Sequence, residues 1–134
     1  MSNLIILDQF KKQLISFFDE LISQFPEAAE LVILRILFKD QIPIEEVMKR
    51  FVHKLVVVRD LIKNRDDSFF LENNTFFSFT SKENITSLKK LWRSNKMDDE
   101  DKLTVWKWMD SFVYLADKYA KNLETIAIAS VGSN

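Results

Sequence analysis

A chain of 134 residues with 47% hydrophobic and 29% charged residues has the balance of a globular domain with its own core, not of a disordered segment. Its formal net charge of -1 supplies no whole-protein field to draw in nucleic acid or an anionic membrane. A single glycine, Gly132, and no cysteine exclude more: the chain cannot build a glycine-rich phosphate loop, a dinucleotide fingerprint, a nucleophile elbow, a disulfide or a thiolate zinc site.

The first residues do not read as a secretory signal. Leu4-Ile5-Ile6-Leu7 is a short apolar run with no basic segment before it and Asp8 after it. No stretch approaches the roughly 20 apolar residues of a membrane helix. A protein made without export is expected.

The first predicted helix runs from about Leu4 to Phe25. Leu7, Phe10, Leu14, Phe17, Phe18, Leu21 and Phe25 recur at three- and four-residue steps and share one face. Pro26 ends this helix or opens the next. The second covers about Pro26 to Lys39 and carries Leu31, Val32, Ile33, Leu34, Ile36, Leu37 and Phe38, which leave almost no polar side. A helix apolar all round is surrounded by neighbours or makes a contact beyond its own fold. This one is expected at the centre of the core. The third starts with Pro43 at its first position and reaches about Lys63, with Ile44, Val47, Met48, Phe51, Val52, Leu55, Val58 and Ile62 as its stripe.

Periodicity then fails. Residues Arg65 to Phe79 hold Phe69, Phe70, Phe76, Phe77 and Phe79 among Asp, Asn and Ser. The expectation is a packed, Phe-rich connection with one short helical turn around Ser68 to Glu72. Thr80-Ser81-Lys82-Glu83 has the capping-box pattern and opens a fourth helix, to about Ser94, through Ile85, Leu88, Leu91 and Trp92. After a turn at Asn95 to Asp98, a fifth helix carries Leu103, Val105, Trp106, Met109, Phe112, Val113, Ala116, Tyr119, Leu123 and Ile126 over more than six turns. The tail, 128–134, should fray. Together these predict an all-α fold: one domain over 1–134, a bundle or orthogonal array of about five helices.

Few constellations invite chemistry. His53, the single histidine, sits opposite the apolar stripe of its helix near Lys49 and Asp60 and reads as a solvated surface residue. No Ser, Cys or second His completes a catalytic set. Asp98, Asp99, Glu100 and Asp101 offer carboxylates for Mg²⁺, yet they precede a helix, where carboxylates cap free N–H groups and oppose the macrodipole. Capping is the preferred reading. No catalytic, cofactor or metal site is assigned. Lys82, Lys89 and Arg93 share a face of the fourth helix, with Lys90 and Lys96 nearby, and offer possible phosphate contacts. Val57, Trp106 and Tyr114 fall off the centres of their stripes; if exposed, they mark a partner surface.

The stretch Leu91-Trp92-Arg93-Ser94, Met97-Asp98-Asp99-Glu100-Asp101-Lys102, Val105-Trp106-Lys107-Trp108 and Phe112 to Tyr119, with Phe25-Pro26 followed by Leu31-Val32-Ile33-Leu34-Arg35, resembles small helical proteins of uncharacterised function encoded by nucleocytoplasmic large DNA viruses. The resemblance spans about Phe17 to Tyr119. It is carried by apolar and aromatic residues, so it brings no catalytic residue. It implies a viral protein, located in the host cytoplasm or the virion. Viral Bcl-2-like proteins are a fold-level analogy, also small, all-α and built around an apolar central helix. Their Asn-Trp-Gly-Arg helix start has no counterpart here.

The expected function is therefore non-enzymatic: a protein-protein interaction or structural protein, a virion component or host-interacting factor, with a protein partner or self-association, a homodimer included. The alternative is a nucleic-acid-associated protein using the basic face of the fourth helix. No cofactor is expected.

Overall fold

Ser2 starts the first helix by accepting the Ile5 N–H on its hydroxyl (3.3 Å). A computed structural model of the chain describes residues 2–72 and 79–132, with side chains to residue 129. Helix α1 (Asn3–Gln24) buries Leu7, Phe10, Leu14, Phe17, Phe18 and Leu21, the stripe its spacing predicts, and Ile6 beside them. Pro26 sits in the turn that follows.

Two of the predicted helices are divided. In the first case α2 (Ala29–Ile36) passes into a π-helical turn at Leu37–Gln41, closed by Ile42 N–H donating to the Leu37 carbonyl (2.8 Å). That turn seats Phe38 in the core, stacked on Phe18 with ring centroids 5.5 Å apart. In the second case the helix expected over 43–63 is two, α3 (Ile44–His53) and α4 (Leu55–Lys63), separated at Lys54 (φ -107°, ψ 15°). Pro43 takes the cap position rather than the first helical one.

Helix α4 ends without glycine. Arg65 adopts the left-handed conformation (φ 51°) that glycine usually supplies, and Asp66 N–H reaches back to the Leu61 carbonyl (2.9 Å). The Arg65 guanidinium holds this end down through a two-pronged contact to Asp110 (2.7 and 2.9 Å) and a bond to the Ile62 carbonyl (3.1 Å). Asp110 also raises the Arg65 pKa above its usual value through that hydrogen bond.

The Phe-rich connection is not one irregular link. Residues Ser68–Leu71 form α5, whose start is tied by Ser68 N–H donating to Asp66 Oδ1 (3.0 Å); that bond lowers the Asp66 pKa. Phe69 and Phe70 are buried, and Phe79 packs edge-on against Phe38 under the Arg50 guanidinium. Phe76 and Phe77 lie outside the described residues. Helix α6 (Lys82–Arg93) is capped one residue later than expected: Ser81 accepts the Asn84 N–H (3.2 Å), and the Asn84 amide donates to Thr80 (2.8 Å). Helix α7 (Asp99–Gly132) continues into the tail expected to fray, 128–134, as far as Gly132; residues 133–134 lie outside the described residues.

The described residues thus form seven α-helices and a π-helical turn, in place of about five helices, and no strand. Antiparallel α1 and α7 make the spine. Phe112 meets Phe10 and Phe17 edge-on, each at 5.7 Å, and the Trp108 indole N–H donates to Glu20 (2.7 Å). Helices α3 and α4 pack on α7, α2 on α1, and α6 on α2 and α5. The buried side chains form one continuous cluster. At about 1.5–3 kcal/mol for each large side chain buried, this cluster is the principal stabilising term.

Candidate interaction surfaces

Helix α2, apolar all round, was expected at the centre of the core, either surrounded by neighbours or making a contact beyond its own fold. The structure covers one side of it. Leu31, Leu34 and Phe38 face α1 and the core, whereas Ala29, Val32, Ile33 and Ile36 lie on the opposite face and reach solvent. Their spacing is i, i+3, i+4, i+7, a second apolar stripe of about two turns. A long stem on neighbouring polar residues would hide such a stripe; here Arg35 is drawn sideways into a bond with Asp19 (2.6 Å). Sequence periodicity signalled this surface, but which half of the helix stays open depends on where α1 and α6 sit.

Two of the three predicted partner residues are exposed and one is not. Val57 is 56% exposed and Tyr114 59%. Trp106 is corrected: at 4% exposure it is a core residue, packed against Phe70 (4.9 Å), Trp92 (5.7 Å) and Phe69 (6.2 Å). Helices α5 and α6 cover the side of α7 that its own periodicity leaves open. Nor do Val57 and Tyr114 share a patch. Tyr114 stands on α7 between Asp110 and Asp117, which bond Arg65 and Arg59 across the α4–α7 seam, and Lys118 lies 4.5 Å from its ring centre. Val57 is two residues before Arg59, some 200° round α4, and faces away from that seam. Val56, which the sequence reading passed over, is three residues before Arg59, shares its side and is exposed.

No protein-family model, curated protein or solved structure matches this chain.

The basic residues of α6 do not form one free face. Lys82, Lys90 and Arg93 are exposed, Lys96 lies 3.9 Å from Glu27, and Lys89 is half-buried over apolar side chains. Lys90 and Lys96 share an open groove with Glu27 and Glu30, so acid meets base along that side. The acidic run caps α7. Asp101 N–H donates to Asp98 Oδ1 (2.8 Å) and Asp98 N–H to Asp101 Oδ2 (3.1 Å), a reciprocal box that uses both carboxylates. Among the described residues no three His, Asp or Glu side chains are placed to share a metal ion. His53 is exposed at the end of α3. No described helix is long and apolar enough to cross a membrane.

Proposed function

We propose that this protein is a non-enzymatic interaction or structural protein that binds a protein partner, or a second copy of itself, through the outer face of α2. The observation that carries this reading is the stripe Ala29, Val32, Ile33 and Ile36, set opposite the stripe that α2 spends on its own core. Water contact with four aligned apolar side chains is unfavourable, and a matching helix face removes it.

The charges beside the stripe suit self-pairing. An antiparallel register that sets Ile33 against Ile36 of the second copy also sets Glu30 against Lys39. Two turns of helix cover less than the roughly 800 Å² that each partner buries in a standard interface. The contact therefore extends onto the flanking charged residues. The viral resemblance over Phe17 to Tyr119 supports a virion component or a factor engaging host proteins in the infected cytoplasm.

The test is sedimentation equilibrium together with partner pull-down, using Ile33→Glu with Ile36→Glu. The reading expects a folded protein that no longer associates. Unchanged association would remove α2 from the interface. The nucleic-acid alternative, through Lys82, Lys89, Lys90, Arg93 and Lys96, would instead give a salt-sensitive shift with DNA or RNA that reversal of Lys82, Lys90 and Arg93 abolishes.

A further inference from the structure

Helix α7 outruns the core it helps to build. Tyr119 is its last buried residue, and every side chain from Leu123 to Ala129 is exposed. From Leu123 to Gly132 about 15 Å of helix stands clear of the buried cluster. The apolar residues there do not form one face. Ile126, Ala127, Ile128 and Ala129 are consecutive, each turned about 100° from the last, so they ring the helix. Ile126 is 57% and Ile128 65% exposed, and no charged residue follows Glu124. Two other helices begin at this end. Arg59 bonds Asp117 and Arg65 bonds Asp110, so α4 runs antiparallel to α7 and starts beside the residues that follow Asp117. Helix α1 runs the same way, with Glu20 at Trp108 and Phe10 at Phe112. The first turns of both are apolar and open, with Leu4, Ile5 and Val56 exposed.

We propose that this end of the molecule enters the surface layer of a lipid bilayer, with α7 from Leu123 onward lying in the plane where headgroups meet acyl chains. The ring of apolar residues decides between occupants. A partner helix, from a second copy or another protein, covers one stripe, as it would on the outer face of α2. It leaves the rest of a ring in water. Acyl chains wet every side at once: a helix is about 10–12 Å across, and interfacial helices sit about 5–10 Å deep. The segment is too short to cross the bilayer, so it lies on it. Charge at this end is mixed. Glu45 pairs with Lys49, Asp8 with Lys12 and Asp117 with Arg59, and Lys121 stands one turn before Glu124. Apolar contact therefore sets the affinity, and a zwitterionic lipid is sufficient. This inference does not rest on the α2 interface.

The test is flotation of the full chain with phosphatidylcholine vesicles, and with mixed phosphatidylcholine–phosphatidylserine vesicles, at low and high salt. The chain lacks cysteine, so Ala127→Cys can carry a polarity-sensitive dye, with Lys63→Cys at the far end of α4 as the reference. The expected result is binding to phosphatidylcholine alone, unchanged by salt, with half-binding at about 0.1–1 mM lipid, near the affinity of a single myristoyl chain. The dye at position 127 should shift to the blue and the dye at position 63 should not. Ile126→Gln with Ile128→Gln keeps helix propensity and alters no core residue. This variant should keep the parent's circular dichroism and lose about a hundredfold in lipid affinity, roughly tenfold for each isoleucine. Absence of flotation up to about 10 mM lipid overturns the proposal. So does binding that requires phosphatidylserine and vanishes in salt, or undiminished binding of the double variant. If the parent ignores vesicles and the double variant loses self-association, the surface belongs to a second copy and the proposal is again overturned. Ile33→Glu with Ile36→Glu should float as the parent does; its failure to float would transfer lipid binding to α2.

Discussion

Ile33 and Leu34 are neighbours in sequence with opposite surroundings, so a single substitution at each separates the two faces of α2. Leu34 is 0% exposed and Ile33 39%. Leu34→Asp places a carboxylate among Leu31, Phe38 and α1 with no cation or donor provided for it. An uncompensated buried charge costs several kcal/mol, and the lost Leu packing adds about 2–5 kcal/mol. The sum matches the whole stability of an ordinary domain, about 5–15 kcal/mol, so Leu34→Asp should be unfolded or molten at room temperature. Ile33→Asp leaves its carboxylate in water. It forfeits only part of an Ile burial and some helix propensity, together about 1–2 kcal/mol. At about 4 °C per kcal/mol for a chain of this size, its melting temperature falls by roughly 4–8 °C. Far-ultraviolet circular dichroism melts of the two variants provide the assay. If Leu34→Asp melts within a few degrees of Ile33→Asp, the assignment of the inner and outer faces is wrong, and with it the proposed interface.

At the end of α4, Arg65→Gly should be about 1 kcal/mol more stable than Arg65→Ala, because both lose the Asp110 contact but only glycine accepts the left-handed backbone without strain; chemical denaturation measures the difference. Removing the α7 cap with Asp98→Ala should cost about 1 kcal/mol, whereas Asp98→Asn keeps an acceptor and should melt close to the parent protein, with Mg²⁺ shifting neither. Burial, with a smaller push from Glu45, raises the Tyr119 pKa above its usual value near 10, while Lys49 opposes it. Folding then favours the neutral phenol: this contribution is fully present below about pH 10 and is lost as pH rises through the folded-state value. Tyr119→Phe should therefore flatten the alkaline loss of stability, measured by denaturation at a series of pH values.

The stripe of α1 was legible because all its neighbours, α2, α3 and α7, gather on one side of it and leave the other to water, the condition under which helical period and burial coincide. The break at Lys54 was not. Ile44 to Ile62 keeps its apolar period across the interruption, and neither Gly nor Pro marks it; the bend is a response to packing on α7. Trp106 was misplaced for a related reason. Its burial comes from Phe69, Phe70 and Trp92, residues brought over α7 by a connection whose path has no periodicity to read. The outer stripe of α2 lay halfway between: its apolarity was plain in the sequence, its exposure was not.

The spine also dictates an order of assembly. Glu20 and Trp108 are separated by 88 residues, and the faces of α1 that hold Phe10 and Phe17 are completed by α7. During synthesis α1 therefore emerges long before α7, and until then the side of Phe10 and Phe17 that Phe112 covers is open to water. Loop closure over such a distance slows folding relative to bundles whose neighbouring helices pack in sequence. The nascent chain should accordingly depend on holding chaperones until α7 has left the ribosome, and truncation before Phe112 should yield a sticky intermediate instead of a smaller folded unit.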